Sequence, residues 1–188
     1  MARPRSPEKR QAILQATVRE IAQTGLGAST AKIARSANLA EGTLFTYFAT
    51  KDELLNELYI ELKTDVYRRI NANFPYRAGL HERAKYIWTQ YLLWVMEKPN
   101  DRKASAQLNV SDVITAETRE RIAGDRGAVE QTMAEVDKRG AFKDLPPGFA
   151  SSAMAAMQEA VSDTVAKRPR QKNLLIEQGF EAFWRMAR

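Results

Sequence analysis

Apolar residues recur at helical spacing along the whole 188-residue chain. A repeat of three to four residues places them on one face of an α-helix, whereas a half-buried strand alternates apolar and polar residues and is rich in β-branched ones. No segment of the sequence shows the second pattern. We therefore predict an all-α fold of about nine helices.

Start and stop signals delimit these helices. Ser6 before Pro7 has the arrangement of an N-cap followed by proline in the first helical position, and Gly25 suits the C-terminal end of the same helix. By the same reasoning, further helices are predicted over residues 30–37, 41–48, 51–73, 80–97, 100–111, 115–139, 148–168 and 171–188.

Only Asn38, Leu39 and Ala40 separate the helices predicted over residues 30–37 and 41–48. Helices of this length are unstable alone, so the pair must cross sharply and pack against the first helix, as in a helix-turn-helix motif. Asn38 suits the turn because asparagine tolerates the left-handed backbone conformation.

The second helix of this pair has two different faces. Leu44 and Phe48, at positions i and i+4, are predicted to point inward. Thr43, Thr46 and Tyr47 then remain outward, and such hydroxyl-bearing side chains can approach base edges and phosphate oxygens closely. The pattern favours a surface that binds nucleic acid.

The start of the next helix predicts an anion site. Thr50 and Glu53 have the spacing of a capping box, and Asp52 supplies the acidic residue expected in a first turn. Lys51 instead places a cation where the helix dipole disfavours one. A phosphate bound there would be held by the backbone N–H groups and by Lys51 together, so we expect this helix start to face a DNA backbone.

A dense, ordered set of residues lies within this region. Its members are Thr30, Ile33-Ala34, Ala37-Asn38-Leu39-Ala40, Gly42-Thr43-Leu44-Phe45, Tyr47-Phe48, Thr50-Lys51 and Leu54. In this order they resemble the N-terminal domain of the tetracycline-repressor (TetR) family of bacterial transcriptional regulators. The resemblance implies a helix-turn-helix DNA-binding domain over residues 1–50. It also implies a C-terminal domain over residues 51–188 that binds an effector and forms a dimer.

The resemblance assigns DNA contacts residue by residue. It implies that Thr30 and Lys51 hold phosphates, that Thr43 and Thr46 lie in or beside the major groove, and that Phe45 and Tyr47 contact the backbone or the bases.

Three residues depart from the family pattern. Ala40 stands where a serine commonly caps the recognition helix, which removes a contribution of about 1 kcal/mol. Glu41 stands where a basic residue is frequent; it suits the helix dipole but repels phosphate, or accepts a hydrogen bond from cytosine. Phe45 replaces the usual tyrosine and lacks its hydroxyl group. An unusual affinity or sequence preference is expected.

An effector pocket, as the resemblance implies, needs large apolar walls and a few polar groups inside the C-terminal helices. The candidate ligand-binding residues are Trp88, Tyr91, Gln107, Met157 and Gln158. The alternative for each of them is ordinary core packing, because the aromatic residues recur at helical spacing.

Composition excludes most catalytic chemistry. The chain has no cysteine and a single histidine, His81, so disulfides and thiolate chemistry are excluded, and the composition disfavours a catalytic triad or a multi-histidine metal site. We predict no cofactor, no bound metal and no enzymatic activity, and we expect His81 to be exposed and without a function. The net charge of +6 permits a polyanionic partner. No uncharged run is long enough to span a bilayer, which predicts a cytoplasmic protein without membrane contacts.

The last two predicted helices carry more apolar surface than one subunit can bury, with small alanines such as Ala156 and Ala160. Such a surface suits a two-fold interface with a second copy. The resemblance therefore implies a homodimeric, ligand-responsive regulator, most simply a repressor that leaves a pseudo-palindromic DNA operator when a small hydrophobic effector binds.

Three points stay open. A non-specific or architectural DNA-binding protein is one alternative, favoured by Ala40 and Glu41. A small helical enzyme is a more remote alternative. The basic N-terminal residues Arg3, Arg5, Lys9 and Arg10 either contact DNA or are simply solvated.

Overall fold

A computed structural model describes residues 6–188. The all-α prediction is confirmed: this part of the chain forms ten α-helices and contains no strand. The helices are α1 (Pro7–Thr24), α2 (Thr30–Ser36), α3 (Glu41–Tyr47), α4 (Lys51–Asn71), α5 (Leu80–Glu97), α6 (Pro99–Asn109), α7 (Ala116–Arg121), α8 (Gly127–Val136), α9 (Phe149–Lys167) and α10 (Lys172–Met186).

The helices form two compact units. The first comprises residues 6–65 and 98–123, and the second comprises residues 66–97 and 124–188. Helix α4 is continuous and contributes residues to both units. The domain boundary between residues 50 and 51 stays a prediction.

In the first unit, α1 begins and ends as its sequence predicts. The hydroxyl oxygen of Ser6 accepts a hydrogen bond from the backbone N–H of Lys9 at 3.3 Å, and Pro7 is the first helical residue. Gly25 adopts a φ of 80° and donates its N–H to the carbonyl oxygen of Ile21 at 2.9 Å. This φ lies in the region that favours glycine, so Gly25 is suited to the helix end. Helix α1 packs against α2 and α6.

A group of hydrogen bonds around Asn56 joins α4 to α7 and to the segment before α7. The amide nitrogen of Asn56 donates to the carbonyl oxygen of Val113 at 2.8 Å, and its amide oxygen accepts from Thr115 N–H at 3.1 Å and Thr118 Oγ1 at 2.6 Å. Because the amide uses both its donor and its acceptor, this contact specifies one arrangement of the two segments.

In the second unit, α5 is surrounded by α8, α9 and α10, as its apolar sequence predicts. Trp88 is completely buried, and its indole N–H donates to the carbonyl oxygen of Ile176 at 2.9 Å. Gly179 permits this approach: a Cβ atom there would lie 2.9 Å from the Trp88 ring and 2.6 Å from Val161 Cγ2. The absence of a side chain at Gly179 therefore sets how closely α10 packs on α5.

One predicted helix is wrong. Residues 115–139 form α7, a 3₁₀ turn over Gly124–Arg126, and α8, rather than one continuous helix. The apolar periodicity runs through the break, but Gly124 and Gly127 each disfavour a helix interior by about 1 kcal/mol relative to alanine. The helix-breaking effect of the two glycines therefore outweighs the apolar periodicity in this segment.

Across residues 6–188, every helix is too short or too polar to cross a lipid bilayer.

Candidate nucleic-acid interface

Helices α2 and α3 form the helix-turn-helix arrangement that their spacing predicts. Asn38 has a φ of 57°, the left-handed conformation expected for this turn. The next residue, Leu39, donates its N–H to the carbonyl oxygen of Ala34 at 2.9 Å. Ile33 and Leu44 are completely buried, so each helix packs inward through its apolar face.

The outer face of α3 carries the predicted base-contacting residues. Phe45 and Thr46 are exposed, and Thr43 is half-buried beside them. The hydroxyl of Thr46 donates to the carbonyl oxygen of Thr43 at 2.6 Å, which leaves its lone pairs free to accept from a base amino group. As the sequence predicts, Ala40 gives α3 no side-chain cap.

Tyr47 has a structural contact that sequence reasoning missed. Its hydroxyl oxygen accepts a hydrogen bond from the backbone N–H of Ser6 at 2.9 Å. The phenolic hydrogen remains available to donate to a phosphate oxygen. Tyr47 therefore joins the end of α3 to the start of α1 and can also take the DNA-contacting role that the resemblance implies.

Thr30 and Glu41 meet at the starts of α2 and α3. The Thr30 hydroxyl donates to Glu41 Oε1 at 2.5 Å, so its hydrogen is already engaged. The predicted phosphate contact of Thr30 therefore requires this hydroxyl to turn away from Glu41, or its neighbouring backbone N–H groups to act in its place. A phosphate placed at the start of α3 would be repelled by this carboxylate.

The capping box before α4 is confirmed on the Thr50 side. Thr50 Oγ1 accepts from the N–H of Glu53 at 3.0 Å. The Glu53 carboxylate accepts from the N–H of Ala49 at 2.6 Å, one residue earlier than the standard box. Lys51 donates from Nζ to the carbonyl oxygen of Leu26 at 2.7 Å. An ammonium group has three donors, so Lys51 holds the loop after α1 and keeps donors for a phosphate.

The other basic side chains near the helix-turn-helix differ in whether they form ion pairs within the protein. Arg10 pairs with Glu57 at 2.7 Å and lies over the ring of Phe48, which makes it part of the packing. Lys9 and Arg35 are exposed and have no carboxylate partner among the residues that the structure describes. Arg35, on α2, is a candidate phosphate contact that sequence reasoning missed, although a basic residue on a helix-turn-helix was a usable signal. Arg3 and Arg5 lie outside the described residues.

The candidate effector-binding residues divide between the two units. Trp88, Tyr91, Met157 and Gln158 lie on α5 and α9 of the second unit, where these helices pack together. Buried Gln158 donates from Nε2 to the carbonyl oxygen of Trp88 at 3.4 Å, and Tyr91 donates to Glu159 Oε1 at 3.3 Å. Gln107 belongs to the first unit and donates to the carbonyl oxygen of Ile21 at 3.3 Å. Their ligand-binding role stays a prediction.

His81 is held between aromatic rings rather than fully exposed. Its ring makes edge contacts with Phe180 and Trp184, at centroid distances of 5.1 and 4.9 Å, and its Nε2 lies 3.5 Å from Glu181 Oε1.

A cleft of about 420 Å³ lies within the first unit, between α1, α4 and the start of α6. It contains none of the predicted ligand-binding residues. Its rim includes Asp65, paired with Lys98 at 2.5 Å, and Asp101, whose pKa is raised by burial. Its floor includes Leu14 and Leu62.

Comparison with known proteins agrees with this geometry. Residues 13–58 match the model of the family described as bacterial regulatory proteins, tetR family. An uncharacterized HTH-type transcriptional regulator of Haemophilus influenzae is 31% identical over 88 residues, which is 46% of this chain and 47% of that protein. The chain spans about half the length of the curated relatives it matches.

Solved structures extend the likeness to the whole fold. A putative tetR family transcription regulator from Shewanella sp. PV-4 superposes with a TM-score of 0.80 at 25% identity, covering 96% of this chain and 97% of that one. A TetR family transcription regulator from Marinobacter aquaeolei VT8 gives a TM-score of 0.78 at 22% identity, covering 93% and 95%.

The fold and the matched segment together define a helix-turn-helix protein with a helical C-terminal part. The resemblance carried by the residues from Thr30 to Leu54 is confirmed: the segment over residues 13–58 matches the tetR family of bacterial regulatory proteins, and the chain shares its fold with a putative tetR family regulator.

Proposed function

We propose that the chain is a homodimeric, ligand-responsive transcriptional regulator of the cytoplasm. It represses by binding a pseudo-palindromic operator and is released by a small hydrophobic effector. The helix-turn-helix geometry carries this proposal: Asn38 sets the turn at a φ of 57°, and α3 presents Thr43, Phe45 and Thr46 outward. A helix held in this way can enter a major groove with its side chains at base edges.

The exposed apolar surface of α9 and α10 supports a dimer. Phe149 is 45% exposed and Leu174 is 52% exposed. Ala156 and Ala160 continue the stripe that begins at Phe149, and their small side chains permit close helix approach. Paired subunits bind two half-sites together, which raises affinity beyond that of a single helix-turn-helix.

Helix α4 supports a route by which an effector acts on DNA binding. It starts at Lys51, directly after the helix-turn-helix, and runs without interruption to Asn71. An effector that binds one tilt of α4 better than another shifts the spacing of the two recognition helices. The shift is limited by the difference between these two affinities.

Selection of bound sequences from the DNA flanking the chain's own coding region, followed by gel shifts, tests the proposal. The expected result is a pseudo-palindromic site bound far more tightly than random DNA, by about a thousandfold or more, and released by a hydrophobic ligand. Thr46→Ala is expected to change the preferred bases, because Thr46 is exposed on α3.

A non-specific DNA-binding protein is the second candidate, because Glu41 engages Thr30 and α3 lacks a side-chain cap. Equal affinity for selected and random DNA would establish this alternative and overturn operator binding.

A further inference from the structure

Two cationic side chains in the first unit converge on one aromatic ring. Lys63 Nζ lies 5.3 Å from the ring centroid of Tyr59, and the guanidinium carbon of Arg119 lies 5.5 Å from the same centroid. Tyr59 and Lys63 are one helical turn apart on α4, and Arg119 comes from α7. Tyr59 is buried, and Lys63 and Arg119 are both half-buried, so the two charges lie at the edge of the core.

Neither cation has a carboxylate partner among residues 6–188. Arg119 donates to the Tyr59 hydroxyl at 3.3 Å and to the carbonyl oxygen of Asn109 at 3.2 Å, and both acceptors are neutral. Lys63 contacts the face of the ring. In contrast, Arg121, on the same helix as Arg119, pairs with Glu57 at 2.8 Å.

The electrostatics of this cluster are unfavourable without an anion. Burial, and secondarily the charge of Arg119, lowers the pKa of Lys63 to about 8. Two neighbouring like charges that are partly withdrawn from water cost free energy, and an opposite charge or deprotonation recovers it. The cluster also keeps unused donors: three on Lys63, the Nε–H and the remaining Nη hydrogens of Arg119, and the phenolic hydrogen of Tyr59.

We propose that Lys63 and Arg119 bind the anionic group of the small-molecule effector, a carboxylate or a phosphate. Two oxygens of either group match the planar guanidinium, while the ammonium supplies a third contact. Naming the ligand an effector rests on the proposed function, but anion binding itself does not require DNA. Because Lys63 is part of α4, the bound anion acts directly on the helix that follows the recognition helix.

Isothermal titration of the full-length protein without DNA tests this site. Four probes share one tail and differ only in the head group: octanoate, octyl phosphate, octanol and octylammonium. Lys63→Met and Arg119→Gln remove one cation each, and Arg121→Gln serves as the matched control on α7. At least one of the two anions is expected to bind the wild type, and each of the first two variants to weaken binding by about tenfold or more. The control is expected to bind as the wild type does.

Proton uptake provides a readout that a purely structural role would not move. At pH 8 the Lys63 side chain of the protein without a bound anion is about half protonated. An anion that restores its ordinary pKa therefore draws about half a proton from the buffer, measured by repeating the titration in buffers of different ionisation enthalpy. The uptake is expected to disappear in Lys63→Met.

The outcomes separate the site from the regulatory function. Absence of binding by both anions, equal binding of octylammonium, or unchanged affinity in Lys63→Met would overturn the anion site. Of the two anions, the tighter binder identifies the head group as carboxylate or phosphate. Specific operator binding without anion binding would support the proposed function and overturn the anion site. Anion binding without operator binding would support the anion site and overturn the proposed function.

Discussion

The hydroxyl oxygen of Tyr47 accepts a hydrogen bond from the backbone N–H of Ser6 at 2.9 Å. Tyr47 is the last residue of α3, and Ser6 is the N-cap of α1. A single contact thus joins the end of the candidate recognition helix to the start of the helix on which α2 packs. The position of α3 depends on the hydrogen bond of Tyr47 as well as on the apolar contacts of Leu44 and Phe48.

Tyr47→Phe is expected to lower the free energy of unfolding by about 1 kcal/mol, because the partly buried N–H of Ser6 loses its acceptor. Urea unfolding of the full chain measures the change. Tyr76→Phe is the matched control, since Tyr76 is 65% exposed. An equal effect of the two substitutions would show that the Tyr47 hydroxyl contributes nothing to stability.

Lys51→Ala is expected to weaken binding to every DNA sequence about equally and to reduce the salt slope of log K by about one. It should also lower stability, because the carbonyl oxygen of Leu26 loses its donor. Gel shifts at several salt concentrations, below the unfolding temperature of the variant, measure the effect. Lys103→Ala removes an exposed cation on α6 as a control. A salt slope that equals the wild-type value in Lys51→Ala would rule out a phosphate contact by Lys51.

Local contacts account for what could be predicted from the sequence. The caps at Ser6, Gly25 and Thr50 and the left-handed Asn38 depend on residues within a few positions of one another. Backbone sterics and short-range hydrogen bonds decide such features, so residue types at fixed offsets predict them.

Contacts between distant segments could not be predicted in this way. The Ser6–Tyr47 and Lys51–Leu26 hydrogen bonds, and the approach of Arg119 to Tyr59, join residues at least 25 positions apart. The charge of Lys51 and its position at a helix start predict a contact with DNA. Neither feature predicts that its ammonium group donates a hydrogen bond to the carbonyl oxygen of Leu26. Such partners depend on how the helices pack, which hydrophobic periodicity leaves open.

Glu41→Gln is expected to tighten DNA binding a few-fold for all sequences, because it removes a negative charge from the start of α3, which the proposed function places close to DNA phosphates. The change also weakens the acceptor of the Thr30 hydroxyl, which is then freer to turn to a phosphate. Filter binding with selected and random DNA measures both affinities, and Glu117→Gln, an exposed carboxylate on α7, serves as the control. If only the selected site gained affinity, Glu41 would be acting on base recognition instead.

Ala156→Glu is expected to abolish the proposed dimer and leave a monomer, because it places a charge in the exposed alanine stripe of α9. Sedimentation equilibrium measures the change in molecular mass. Ala141→Glu, at an exposed position outside α9 and α10, should leave the mass unchanged. A wild-type chain that is already monomeric would contradict the proposed dimer, and a dimeric Ala156→Glu would place the interface elsewhere.

Lys63→Met is expected to stabilise the protein near neutral pH. The folded-state pKa of Lys63, about 8, lies below the ordinary value of 10.5. The unfolded chain therefore binds more protons between these two values, and wild-type stability rises with pH across that window. Methionine does not titrate, so the free energy of unfolding of the variant should exceed that of the wild type by on the order of 3 kcal/mol at pH 7. This difference should shrink above pH 8. Urea unfolding at pH 7 and pH 10 measures it, with Lys103→Met as an exposed control. A difference that stayed constant with pH would mean that the ammonium of Lys63 is fully hydrated in the folded protein, and the case for an anion beside Arg119 would lose its electrostatic basis.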